Sequence, residues 1–342
     1  MAPDALRAWL EARWYGGAPV PAWLAGLARV YGLLARWQRW TYRCGIRTVA
    51  ELPVPVLVVG NLTVGGAGKT PLVIALVRAL AARGWRPGVI SRGYGRRGAG
   101  ALRVAAGHDA TEVGDEPWLI FRRCGCPVAV ARRRAEAGRL LIASGEVDLL
   151  IADDGLQHHA LARTLEVLVV DGRRGFGNGR LLPAGPLREP VARAGSCDFL
   201  VCNGEGPGCP GGDAVPMRLR LGTPTRILDG TPVPWEQLGR VRAIAGIADP
   251  ERFFQALRER GLEVDAHGFP DHHRYTADDF AFDDGTPLLM TEKDLGKCLR
   301  LARGHWLSVP AEAELPASFL DAVDAALRRH GARRPPARAQ ES

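Results

Sequence analysis

The sequence predicts an α/β fold: a P-loop NTPase-type, mostly parallel sheet with helices on both faces, a small α/β C-terminal domain and an N-terminal amphipathic helix. Three observations carry that prediction. Residues 56–70 run from the apolar Val56–Val59 into a glycine loop that ends Gly68-Lys69-Thr70. Between residue 54 and about residue 203, short apolar runs alternate with helical patterns, as in a parallel sheet covered on both sides. Residues 22–43 repeat apolar side chains at a spacing of three and four, with arginines on another side.

In chain order, residues 1–47 form the amphipathic segment. Five of the nine tryptophans lie at 9, 14, 23, 37 and 40, among Arg7, Arg13, Arg29, Arg36, Arg39, Arg43 and Arg47. Trp23, Leu24, Leu27, Val30, Tyr31, Leu34 and Trp37 share one helix face, and Arg29, Arg36 and Arg43 recur every seven residues along another. Such a helix can lie in a bilayer interface, with its rings at headgroup depth and its guanidiniums on anionic lipid. It can equally pack on the protein's own core with its arginines solvated.

Residues 48–237 are expected to be the nucleotide-binding unit. Strands are predicted at Val56–Val59, Gly88–Ser91, Pro127–Val130, Asp148–Ala152, Val167–Val170 and Asp198–Cys202, and helices at Thr70–Arg83, Glu116–Cys124 and Arg132–Ser144. The loop Thr63-Val64-Gly65-Gly66-Ala67-Gly68 can cradle phosphates with its backbone N–H groups. Lys69 can reach the β- and γ-phosphates, and the Thr70 hydroxyl can serve Mg²⁺. The first glycine of the G-x-x-x-x-G-K-S/T pattern is replaced by Thr63. Asp153 and Asp154 follow the apolar run 148–152, where a carboxylate lies beside the phosphate loop and can hold Mg²⁺ directly or through water. Gly114-Asp115-Glu116-Pro117 puts two acids before a helix, either as a cap or as a catalytic base and metal ligand. Arg92, Arg132 and Arg188 stand in arginine-rich loops where a guanidinium can clamp phosphate. Gly204–Gly212 reads as an exposed excursion.

A small unit is expected over 238–290, with a strand at Val241–Ala245, a helix begun by Asp249-Pro250 and closed by Gly261, and a strand at Leu262–Asp265. Asp271-His272-His273 lies in it, and its histidines can tune a nearby base. The chain is expected to return to the large unit over 291–330, ending in a helix at Pro316–Arg329. The tail 331–342 reads as disordered.

Bulk properties narrow the function. The net charge of +8 suits an anionic partner: nucleic acid, a phosphorylated substrate or an anionic membrane. No run of 18 apolar residues exists, and Asp4, Arg7, Glu11 and Arg13 interrupt any signal-peptide core. The seven cysteines lack a paired metal-binding framework and read as reduced thiols of a cytosolic protein.

These motifs together resemble those of the tetraacyldisaccharide 4′-kinases, the lipid A 4′-kinases of Gram-negative bacteria. The residues that carry the resemblance are Gly60–Pro71, Ser91–Gly95, Gly114–Pro117, Asp153-Asp154-Gly155-Leu156-Gln157-His158, Leu182–Glu189, Phe269–His273 and Thr291-Glu292-Lys293-Asp294. The resemblance implies transfer of the ATP γ-phosphate to the 4′-hydroxyl of a tetraacyldisaccharide 1-phosphate, giving lipid IVA in lipid A and lipopolysaccharide synthesis. It implies ATP and Mg²⁺ as cofactors, with Thr70, Glu116, Asp153 and Asp154 as metal ligands. Lys69, Asp115 as base and His272 as its partner form the implied catalytic set. Asn61, Arg92, Arg132, Gln157, Arg188 and His273 are the implied substrate contacts. It also implies peripheral attachment of the N-terminal helix to the cytoplasmic face of the inner membrane, without nucleic acid and with no protein partner implied. Two rivals share the composition: a regulatory GTPase or metallochaperone NTPase with the same nucleotide core, and a non-enzymatic membrane or nucleic-acid binder. A guanine-specificity Asn-Lys-x-Asp motif is absent, and Thr291-Glu292-Lys293-Asp294 approaches it only loosely.

Overall fold

The computed structural model describes residues 3–331 except 97 and 99, so residues 332–342 of the expected tail lie outside the described residues. In chain order the first strands are β1 (Val56–Gly60), β2 (Pro87–Ser91), β3 (Leu102–Arg103), β4 (Val128–Val130), β5 (Leu149–Ala152), β6 (Leu165–Asp171), β7 (Phe199–Asn203) and β8 (Val215–Leu221). A second sheet follows, from β9 (Thr225–Arg226), β10 (Arg240–Ala245), β11 (Glu263–Gly268), β12 (Leu288–Thr291) and β13 (Trp306–Val309). The chain then rejoins the first sheet at β14 (Ala311–Glu314). The large sheet has the order β14-β8-β7-β6-β1-β5-β2-β4-β3, and the small one the order β11-β10-β12-β13-β9. Pairing is parallel except at β3, at β14 and between β13 and β9. The return expected from residue 291 therefore comes at 311, because β12 and β13 complete the small sheet first.

The helices are α1 (Pro3–Trp14), α2 (Ala22–Arg43), α3 (Lys69–Ala82), α4 (Ala110–Val113), α5 (Asp115–Cys124), α6 (Arg134–Ala143), α7 (Pro250–Glu259), α8 (Glu292–Cys298) and α9 (Ala317–Gly331). The central strands are almost wholly apolar because helices bury both of their faces; all five residues of β1 and all seven of β6 are buried, the polar exceptions in β6 being Glu166, paired with Arg163 and Arg193, and the terminal Asp171. Leu72, Val73, Leu76, Val77 and Leu80 of α3 meet Leu57, Val59, Val89 and Ile151 on one face of the sheet. On the other face Val56, Val58, Ile90, Leu150 and Leu168 pack with Ala137 and Leu141 of α6. The small sheet buries Phe253, Phe254 and Leu257 of α7 against Val241, Ala243 and Leu289.

The strand order positions the site. β1 lies between β5 and β6, so the loop leaving its carboxyl end opens beside Asp153-Asp154 and Asp171 at the ends of those neighbours. Ligands on open α/β sheets bind at such a place.

Helix α2 spans the predicted 22–43 and docks along a narrow edge. Leu24 and Ala28 are buried against Ala184, while Trp23, Leu27, Val30, Leu33, Leu34, Trp37 and Trp40 are each more than half exposed. The predicted apolar face is thus largely open to solvent. One expectation is corrected. Cys202 and Cys209 are joined by a disulfide and are not free thiols, since the turn after β7 brings their Cα atoms to 5.7 Å. The loop 204–212 is an exposed excursion as expected, with residues 205–207 and 211–212 open to solvent, and Gly208 N–H ties it to the Gly172 carbonyl after β6 at 2.9 Å.

Candidate active site

The phosphate loop owes its shape to Gly68, whose φ of +89° is open to glycine and whose added Cβ would meet Asn203 Nδ2 at 2.4 Å. Asn203, at the end of β7, donates to the Ala67 carbonyl at 3.1 Å and so fixes the turn from the outside. Along the other edge a strap pairs with the loop in antiparallel fashion: Val64 N–H donates to the Pro186 carbonyl at 2.9 Å, and Arg188 N–H to the Leu62 carbonyl at 2.7 Å. The first helical turn of α3 then directs its free N–H groups, and the end of its dipole that favours anions, at the loop.

Lys69 Nζ lies 3.0 Å from Asn61 Oδ1 and 3.5 Å from Asp154 Oδ1. Arg188 grips both Asp154 oxygens, at 3.1 and 3.2 Å, and also reaches the Asn61 carbonyl at 2.9 Å. Burial disfavours the charged form of Asp154, but Lys69 and Arg188 outweigh it and hold the carboxyl well below the usual range. Asp153 is the opposite case. It is buried, its Oδ1 has no protein partner, and burial together with Glu116 and Asp154 pushes its carboxyl up to about 7. Asp154 adopts a left-handed backbone with φ of 47°, held by Arg134, whose guanidinium donates to the carbonyls of Asp153 and Asp154 at 3.1 and 2.7 Å.

A second cluster faces the loop across the cleft. Helix α5 starts after Gly114, whose φ of +98° and close approach to Gly93 let Asp115 and Glu116 occupy the first turn. Acids there complement the helix dipole. The small sheet delivers His272, whose Nδ1 is 3.1 Å from Asp115 Oδ2. Among the described residues His272 is the other non-glycine residue with positive φ, at 62°, and its ring packs 5.5 Å from that of Tyr94. Lys293 bridges Glu116 and Asp271, both at 3.2 Å, and approaches His272 Nε2 at 3.5 Å. Lys297, pinned by the fully buried Asp294 at 3.0 Å, stands 3.8 Å from Asp115.

One cleft of about 1700 Å³ joins these clusters. Its walls include residues 64–70, Arg92, Arg132, Asp153, Asp154, Gln157, Arg188 and His272. Most of the residues expected at the site are thus brought together, Glu116 among them, whereas Thr63, Asp115, Asn61 and His273 do not line the cleft. Asn61 is fully buried behind the loop, where it braces Lys69 and accepts from Arg188, and it presents nothing to a substrate. His273 turns into the small unit, 3.2 Å from Asp279 and stacked on Phe269, because its neighbour His272 takes the bend that faces the cleft. Glu116 is held by Lys293, and among the described residues no three His, Cys, Asp or Glu side chains converge as a ready-made metal centre.

Sequence reasoning missed Lys293 and Lys297, which arrive in the string 291–294 and the turn after it. It also missed Asn203 and Arg252, which donates to Asn203 Oδ1 at 3.1 Å and to Asp171 Oδ2 at 3.2 Å. The available signal for the lysines was a charged cluster directly after the apolar run Leu288–Met290, a strand end.

Comparison with known proteins agrees with this geometry. Residues 20–328 match the family model described as tetraacyldisaccharide-1-P 4′-kinase. A tetraacyldisaccharide 4′-kinase of Aeromonas hydrophila is 49% identical over 320 residues, covering 92% of this chain and 94% of that protein. One from Stenotrophomonas maltophilia is 48% identical, covering 90% and 93%. Among solved structures, LpxK from Aquifex aeolicus in complex with ATP superposes with a TM-score of 0.75 at 29% identity, over 90% of this chain and 98% of that one. These relatives are kinases, which favours the phosphotransferase over the regulatory or metallochaperone NTPase. With phosphate loop, acidic pair and histidine bend all inside the matched span, the chain belongs to the tetraacyldisaccharide 4′-kinase family.

Proposed function

We propose that this kinase transfers the γ-phosphate of ATP to the 4′-hydroxyl of a tetraacyldisaccharide 1-phosphate, forming lipid IVA in lipid A biosynthesis. The observation that carries the proposal is the Asp115–His272 pair at 3.1 Å, whose histidine lines the same cleft as the phosphate loop and Lys69. A secondary hydroxyl has a pKa far above neutrality, so a carboxylate that accepts its proton during attack is useful. Asp115 takes that proton as the 4′-oxygen bonds to the γ-phosphorus. The bond from phosphorus to the β,γ-bridging oxygen breaks, and ADP leaves. His272 orients Asp115, while Lys69, Arg188 and the loop N–H groups stabilise charge on the phosphates.

The residues fit Mg²⁺. The buried Oδ1 of Asp153, which has no protein partner, offers a hard oxygen ligand, and Asp154 and Thr70 line the same cleft. Mg²⁺ commonly needs only one or two carboxylates, with phosphate and water completing its shell, so a three-acid cluster is not required. When bound, the ion supplies charge neutralisation on the β- and γ-phosphate oxygens. Glu116 is better read as the anchor of Lys293 than as a ligand.

The open apolar face of α2 supports peripheral attachment to the cytoplasmic face of the inner membrane; no described helix is long and apolar enough to cross a bilayer. Gln38 and Tyr42 of α2 line the cleft, so an acceptor with its acyl chains in the bilayer has a short path to the loop. The expected division at 237/238 and 290/291 is moved to the two sheet crossings, which gives a small unit over 225–309, and each unit carries one member of the Asp115–His272 pair. Incubation with labelled ATP and the acylated disaccharide 1-phosphate, followed by locating the new phosphate, tests the assignment. Phosphate at the 4′ position is expected. Absence of transfer, or preference for GTP in competition, refutes it.

A further inference from the structure

Helix α2 is tied to the phosphate loop by a continuous run of polar contacts that the transfer reaction itself does not require. Tyr31 donates to the Arg188 carbonyl at 3.1 Å, and Arg39 forms an ion pair with Glu189. Glu189 is 3% exposed, and its second oxygen accepts from Gln157 Nε2 at 3.1 Å. The same Gln157 nitrogen reaches the Asn61 carbonyl at 3.2 Å, and Asn61 Oδ1 accepts from Lys69. Arg193 approaches Glu189 at 3.7 Å and is itself saturated by Glu166. Glu189 is therefore a buried carboxylate shared between α2 and the support of Lys69, at the end of the strap paired with residues 62–64.

We propose that Glu189 is a positioning residue through which α2 sets the geometry of Asn61, Lys69 and the phosphate loop, so that the seating of α2 is read out as nucleotide affinity. The physical reason is burial. A carboxylate out of water must keep all its partners, so a shift of Arg39 repositions Gln157 as well. Gln157 cannot move without disturbing the Asn61 carbonyl that Arg188 also contacts. The strap carries no flexible insertion between the two ends: Tyr31 and Arg39 grip residues 188 and 189, and residues 186–188 pair with the loop directly.

This inference rests on the proposed function only in taking a nucleoside triphosphate as the ligand, so the test reads nucleotide binding separately from acceptor phosphorylation. Binding of a fluorescent ATP analogue, KM for ATP, kcat and melting temperature are measured for Glu189→Gln, Arg39→Met and Arg39→Lys. A five- to tenfold loss of nucleotide affinity is expected in the first two, with KM for ATP rising in step and Arg39→Lys recovering most of the loss. A purely structural role lowers the melting temperature while nucleotide affinity stays within twofold of the parent, and that result overturns the proposal. Should Glu189→Gln fail to fold, the Arg39 pair reads the same contact from the surface of α2. Failure of the parent to phosphorylate the disaccharide sinks the acceptor assignment and leaves this readout intact.

Discussion

The division of labour between Asp115 and His272 gives the sharpest test. Asp115→Asn keeps the shape of the side chain and removes the proton acceptor, a loss of about 10²- to 10⁴-fold in kcat for a general base. His272→Gln removes only the ring nitrogen 3.1 Å from the carboxylate. A hydrogen bond to a charged group is worth about 1.5–3 kcal/mol net, and the imidazole is 34% exposed, so about 1–2 kcal/mol is the fitting range. That corresponds to roughly a 5- to 30-fold lower kcat. Because His272 acts through Asp115, the double variant is expected to be no worse than Asp115→Asn alone. The assay is initial rate of phosphate transfer at saturating ATP with acceptor in detergent micelles, and nucleotide affinity serves as the control for folding. Losses that multiply in the double variant, or a His272→Gln defect as deep as that of Asp115→Asn, would mean that the histidine is the base and the argument from geometry is wrong.

Three further outcomes are expected. Gly68→Ala forces a residue with a Cβ into φ of +89° against Asn203, at a cost of about 1–2 kcal/mol for the backbone alone; nucleotide affinity should fall at least about tenfold, and unchanged binding by titration calorimetry refutes the role of that turn. Leu34→Ser with Trp37→Ser, both on the open face of α2, should weaken partition into anionic vesicles by about 2 kcal/mol or roughly thirtyfold; sedimentation equal to the parent's rules that face out as the docking surface. His158 and His159 are each pushed down to about 4 by burial first, then by Arg134 and Arg163 for His158 and by Arg163 and Arg39 for His159. The unfolded chain, with ordinary histidines, binds more protons between pH 4 and about 6.5, so their contribution is complete above pH 6.5 and is lost as pH falls toward 4. Denaturant titrations of His159→Gln across that window should show a shallower pH slope than the parent, and identical slopes contradict the assignment.

Much of this was legible in the residues. β1, α3 and the glycine turn between them follow from Val56–Val59, Gly68 and the apolar face of α3, because a buried strand and a capped helix each impose a strong pattern. Helix α2 was placed to the residue, but whether its apolar face would be covered was not, since coverage depends on what the rest of the chain brings to it. Short or edge strands escaped for the same reason. β3 and β9 have two residues each, and β8 and β14 alternate in exposure along a sheet edge where burial imposes no continuous apolar run. In the site, that Asp153, Asp154 and Lys69 would meet in one cleft was readable from the strand ends and the glycine loop that carry them. That Asn61 and His273 would turn away from it was not, because the motifs that contain them do not say which side chain turns inward. Lys293 and Lys297 reach Glu116 and Asp115 through a contact between two sheets, and no local pattern encodes that.

The two crossings between the sheets, 221–225 and 309–311, run side by side and are clipped together where Gly222 N–H donates to the Pro310 carbonyl at 2.9 Å. That neck is not the only tie, since one apolar cluster runs from Ala110 and Trp118 to Leu295 and Cys298, and Arg123 pairs with Glu292 at 2.6 Å and Arg252 with Asp171 at 3.2 Å. His272, Lys293 and Lys297 are therefore offered to Asp115 by a body braced on both flanks of the cleft, and their mutual spacing is inherited from this bracing rather than from any local turn.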